Sequence, residues 1–222
     1  MIEYHFILAE GGTFTFQVDP DQPPQPSARH AEWARLGFHQ CGLCPLREST
    51  HPCCPAAVAV EAIAQRFASL VSYQAARVVI RTADREYARD CDVQTGLRSL
   101  LGLVMANSEC PVLAHFRGLA RFHLPFANLE ETVFRTVSAY LLKQHFAHRE
   151  GGVTDWDLTH LTRFYEQLQE VNRAFHHRLL NASTQDANLN ALVSLNYMAM
   201  GVTFSLEDQL LELRRLFPPP TA

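Results

Sequence analysis

Cys41 and Cys44 stand two residues apart in a stretch, Phe38 to Ala56, that holds four of the chain's six cysteines, two Cys-Pro pairs and two histidines. That spacing lets two thiolates face one tetrahedral ion while the backbone between them turns, and Gly42 is expected to ease the turn. A complete structural zinc site needs two further ligands, usually a second close pair. There is no second Cys-x-x-Cys, so the motif is half of a strong signal.

The missing ligands can come from Cys53 or Cys54 and from Cys110, far along the chain. Cys54 is preferred over Cys53, because Cys54-Pro55 repeats the arrangement of Cys44-Pro45 and Cys110-Pro111. Cys54 and Cys110 are both expected to sit at the start of a helix, where free amides and the helix dipole favour a thiolate. The expected site is therefore a zinc held by Cys41, Cys44, Cys54 and Cys110, with His39 and His51 as substitutes. If Cys110 takes part, the metal ties the amino-terminal α/β portion to the helical portion.

The same residues admit other chemistry. Four thiolates also hold iron-sulfur clusters, although the gap from Cys44 to Cys54 is long for that purpose. A redox dithiol would need Cys-x-x-Cys between a strand and a helix, and Pro45 shortens any helix there. Free cysteine is also a common buried residue, so a metal-free protein is the plain alternative. Cys91, inside a strand pattern, reads as packing.

The eleven histidines supply no comparable cluster. His115 and His123 are expected to share a helix face with Arg117 and Arg121 beside it, a face that could meet an anion but reads more simply as a mixed surface. His145 with His148, and His176 with His177, lack the third ligand that a catalytic metal needs. Glu130 and Glu131 fit a helix start, where negative charge is favourable in itself. The phosphate-binding loop, the dinucleotide glycine pattern, His-Glu-x-x-His and Gly-x-Ser-x-Gly do not occur, which removes the usual grounds for proposing an enzyme.

The elements that must position the cysteines follow from periodicity. Residues 2–8 and 14–18 alternate as strands around Gly11-Gly12, a hairpin signal. Asp19 to Ser27, with four prolines, is a connector, and residues 28–38 a short helix carrying Trp33, Leu36 and Phe38 to the core. A helix over 56–73 starts at Cys54, and 76–82 with 85–93 form a second hairpin. Helices follow over 94–106, 111–123, 128–146, 155–180, 186–199 and 205–217, the third and fourth opened by capping boxes at Asn128/Glu131 and Thr154/Asp157, the last stopped by Pro218-Pro219-Pro220. Gly96 and Gly102 would let a neighbour approach the first of these.

The fold class is thus α+β, a small and mostly antiparallel sheet of two hairpins followed by a predominantly helical half. The portions are 1–93 and 94–222, read as one continuous domain. A net charge of -4 and the lack of a long basic run disfavour nucleic-acid binding. The opening residues lack a charged leader before an apolar run, and no stretch is expected to span a bilayer, which points to the cytoplasm and reduced thiols. The functional expectation is a cytoplasmic binding or regulatory protein with a structural zinc. A protein partner or a homodimer would use its amphipathic helices, and the competing classes are a redox protein and a metal-free interaction module.

Overall fold

The computed structural model describes residues 1–22 and 29–218. Alternation of buried Ile2, Tyr4, Phe6 and Leu8 with outward neighbours makes β1 (Ile2–Leu8) a strand with one buried face. It turns through Gly11 and Gly12, both at positive φ, which a side chain would strain, into β2 (Thr13–Val18). The proline-rich connector and residue 28 fall largely or wholly outside the described residues, as do Pro219 and Pro220.

The helix expected over 28–38 is absent from the described part of that span: only a single 3-10 turn, Glu32–Ala34, forms. Trp33 and Leu36 still reach the core, at 6% and 0% exposure. Hydrogen bonds to the following segment replace the helical ladder, Leu36 N to Pro52 O at 3.0 Å and Cys54 N to Ala34 O at 2.8 Å.

Helix α1 (Pro55–Phe67) starts where expected, with Cys54 as N-cap and Pro55 in the first turn, but ends earlier than residue 73. Strands β3 (Ala75–Arg81) and β4 (Glu86–Asp92) form the second hairpin. All pairings are antiparallel in the order β2-β1-β3-β4, with Phe6 opposite both Phe14 and Val78. Phe67 at the end of α1 packs edge-on to Phe6 at 4.9 Å and stacks on Phe16 at 5.6 Å, covering the apolar face.

Asp92 caps α2 (Val93–Asn107) by accepting from Thr95 N at 2.9 Å. Gly96 lets this helix lie against the sheet: a Cβ there would stand 2.7 Å from both Phe6 and Val78. The single helix expected over 111–123 is broken into a 3-10 turn, Leu113–Phe116, and a short α3 (Arg117–Arg121). His115 and His123 are consequently separated. His115 stacks on Phe164 with centroids 3.8 Å apart, whereas the Tyr4 hydroxyl and His123 Nε2 share a hydrogen bond of 2.5 Å.

Helix α4 (Leu129–Arg149) carries the full Asn128/Glu131 capping box. The box expected at Thr154/Asp157 does not form. Helix α5 (Thr159–Ala182) starts later, after Leu158 in a left-handed conformation, and Asp155 accepts from Thr159 N, His160 N and the Tyr140 hydroxyl. The last two helices are joined as α6 (Ala187–Arg214), kinked at Ser205, which hydrogen-bonds back to Gly201 O at 2.6 Å.

One apolar core runs through both portions. Polar ties cross between them as well: Asp186 accepts from Ser72 N and Oγ, and Asn188 donates to Ala64 O. Helix α6 also corrects the reading that no stretch approaches bilayer length. Among the described residues it alone is long and apolar enough by length and composition to cross a membrane, and only 28% of its most apolar window is buried. Tyr197, Phe204 and Leu211, seven residues apart, form an exposed apolar stripe along it.

Candidate metal centre

The Cys-rich stretch is a loop closed at its neck. Arg35 bridges to Cys53, and the Leu36–Pro52 and Cys54–Ala34 hydrogen bonds draw the ends together. Cys53 is therefore occupied in the neck, facing Arg35 across an isolated bridge, while Cys54 caps α1. Within the loop, Cys44 N donates to Cys41 O at 3.0 Å, the tight turn expected between the pair. Gly42 is not at positive φ; the left-handed residue is His39, at φ 46°. The turn does not demand glycine.

Arg178 on α5 fastens the loop. It is 2% exposed and donates to Trp33 O at 2.6 Å, Arg35 O at 2.7 Å and Leu36 O at 2.9 Å. Three carbonyls on one buried cation are charge-assisted hydrogen bonds that replace the water it has lost. Neither motif spacing nor the cysteine pattern singles this residue out. Its signal was a positive charge beside the apolar stripe of α5, between Phe175 and Leu179.

Cys41, Cys44, Cys54 and Cys110 line one small cavity together with Arg178 and Phe175. The loop supplies two of them, the cap of α1 the third and the turn after α2 the fourth. Cys110 is buried, and Leu113 N donates to its carbonyl at 3.1 Å, which starts the 3-10 turn. It precedes no regular helix start, contrary to expectation. Cys53 and Cys91 do not reach the cavity. His39 lines its rim and stacks on His177, ring centroids 5.3 Å apart, and the exposed His51 hydrogen-bonds Thr50 and stays outside.

The electrostatics differ from those of an activated thiol. Burial pushes the Cys41 thiol up to about 11, and repulsion from Cys44, Cys110 and Cys54 pushes the same way. Cys110 is raised too: burial outweighs the amides of Leu113 and Val112, which favour its thiolate. Arg178 has its acidity raised by burial, opposed by the negative field that thiolates at Cys54, Cys41 and Cys44 would exert. The four sulfurs thus act on one another and on one cation.

The cavity measures about 20 Å³, room for one water-sized or ion-sized body. Among the described residues, no group of three or more His, Cys, Asp or Glu side chains is already arranged to hold an ion. All six cysteines are free.

Residues 2–218 match a family model described as a domain of unknown function (DUF6901), and the chain belongs to that family. No curated protein and no solved structure matched.

Proposed function

We propose that this member of the DUF6901 family is a binding or regulatory protein of a reducing compartment such as the cytoplasm, fastened by a structural zinc on Cys41, Cys44, Cys54 and Cys110. The observation that carries this reading is the meeting of four cysteines from three separate segments at one ion-sized cavity. Thiols of this kind, one buried and three half-buried, that repel one another as anions gain from a divalent cation, which reverses the local field and deprotonates its ligands.

Because no three of these groups are already arranged for an ion among the described residues, the thiols would have to move to close on it. The zinc would hold the Cys-rich loop and the turn after α2 against α1 and α5. With every ligand a cysteine, no position is left for an activated water, so the metal's work is structural. The exposed stripe of Tyr197, Phe204 and Leu211 supports a protein-facing surface, a second copy included.

The test is elemental analysis of full-length protein purified anaerobically without added metal. About one zinc per colourless chain is expected. Brown protein with iron and acid-labile sulfide would replace zinc by an iron-sulfur cluster. Absence of both metals, with Cys41→Ser and Cys44→Ser folding normally, would leave a metal-free interaction module.

A further inference from the structure

A second apolar space bordered by charged groups lies away from the thiols. A cavity of about 160 Å³ sits between α2, the Leu113–Arg121 segment and the helices α4, α5 and α6, and shares no lining residue with the thiol cavity. Its walls are apolar, among them Leu103, Phe116, Leu168, Leu195 and Met198. A dry apolar cavity of about 150 Å³ is large enough to take up benzene.

Two arginines enter this wall, Arg98 from α2 and Arg135 from α4, and no Asp or Glu lines it. Among the described residues neither arginine forms an ion pair. Arg135 divides one amino group between Leu119 O at 3.1 Å and Phe122 O at 2.7 Å. Arg98 has a single neutral partner, Ser194 Oγ at 3.2 Å, which leaves most of its five N–H groups for another acceptor.

The surroundings add positive charge. Arg89 acts on Arg98 as a like charge and lies over the ring of Phe126, a wall residue, at 5.8 Å. The acids that act on Arg98 are Asp92, already used in capping α2, and the Cys91 thiol, while Glu131 of the α4 capping box acts on Arg135. His123, also on the wall, is held neutral by burial. A partly desolvated cation with no carboxylate in direct contact, set in an apolar wall, is complementary to an amphipathic anion.

We propose that this cavity binds a small organic carboxylate, its apolar body of benzene-ring or short branched-chain size among the leucines and methionine, its carboxylate on Arg98 with Arg135 adding charge. The bidentate fit of guanidinium to carboxylate sets the orientation. Chain length is limited by the cavity volume, so long acyl chains do not fit.

Benzoate and 4-methylpentanoate, each paired with its own primary amide, are titrated into the full-length protein by calorimetry. At least one carboxylate is expected to bind about tenfold or more tightly than its amide. Arg98→Gln should erase that preference while Arg98→Lys keeps part of it, and Ala106→Leu, which fills the cavity, should weaken acid and amide alike. The proposal is overturned if acids and amides bind equally, if neither acid binds by about 10 mM, a regime weaker than ordinary ligand recognition, or if Arg98→Gln leaves the preference intact.

Discussion

Cys110 and Cys41 line the same cavity, although α1, the whole second hairpin and α2 lie between them in the chain. Burial raises the Cys41 pKa, and repulsion between its thiolate and that of Cys110 pushes the same way. A bound cation would turn that repulsion into a cross-link between the loop and the turn after α2.

Metal occupancy should therefore depend on Cys110 as much as on Cys44. Elemental analysis of Cys110→Ser and Cys44→Ser is expected to show equal losses of zinc, with Cys91→Ser and Cys53→Ser at the wild-type level. Full occupancy in Cys110→Ser would remove that residue from the site.

The pH dependence follows from the raised thiols. Near neutral pH Cys41 and Cys110 keep their protons in the metal-free protein, so zinc uptake must release more than one proton and tighten as pH rises. Proton release measured in two buffers of different ionisation enthalpy checks this. For the metal-free protein the sign is opposite. The native Cys41 pKa lies above its ordinary 9.0, so its contribution to stability is present below about pH 9 and is lost as pH rises towards 11.

His123 makes the fold sensitive to acid. Burial, with Arg135 acting in the same direction, pushes its pKa from 6.5 down to about 3. Between those values the unfolded chain binds a proton that the native state does not, so this contribution is complete above about pH 6.5 and falls as pH drops towards 3. The slope reaches at most about 1.4 kcal/mol per pH unit. Denaturant titrations from pH 7 to 4 should show a shallower acid loss in His123→Gln than in the wild type, and parallel curves would refute the assignment.

Gly96 and Gly102 should respond differently to alanine. At Gly96 the new Cβ meets Phe6 and Val78 at 2.7 Å, both on the buried face of the sheet. Overpacking of about 1–3 kcal/mol outweighs the helix-propensity gain of about 1 kcal/mol, so the melting temperature falls. At Gly102 the nearest atom is Leu195 Cδ1 at 3.3 Å, the movable end of a side chain. Gly102→Ala should change stability by less than about 1 kcal/mol, in either direction, as thermal melts of the two variants will show.

The strands, the start of α1 at Pro55, α2 and the Asn128/Glu131 capping box were legible in the chain because their causes are local. Alternating Tyr4 and Phe6, paired glycines at a turn and a side chain that reaches three residues back act over a few positions. Such signals are printed in the order of the residues. The same locality explains the errors. Residues 28–38 and 111–123 have apolar spacing suited to helices, yet the bonds of Leu36 to Pro52 and of Ala34 to Cys54, the stacking of His115 on Phe164 and the burial of His123 against Tyr4 involve distant segments.

The candidate site divides in the same way. The spacing of Cys41 and Cys44, and the repeated Cys-Pro step, singled out four thiols by residue type alone. Only the tertiary structure put Cys54 in the cavity and Cys53 in the neck of the loop, brought Cys110 to them, and set Arg178 beneath three carbonyls. Those placements depend on how α1, α2 and α5 pack. Packing is decided by burial of side chains far apart in the chain, which no short window of sequence contains.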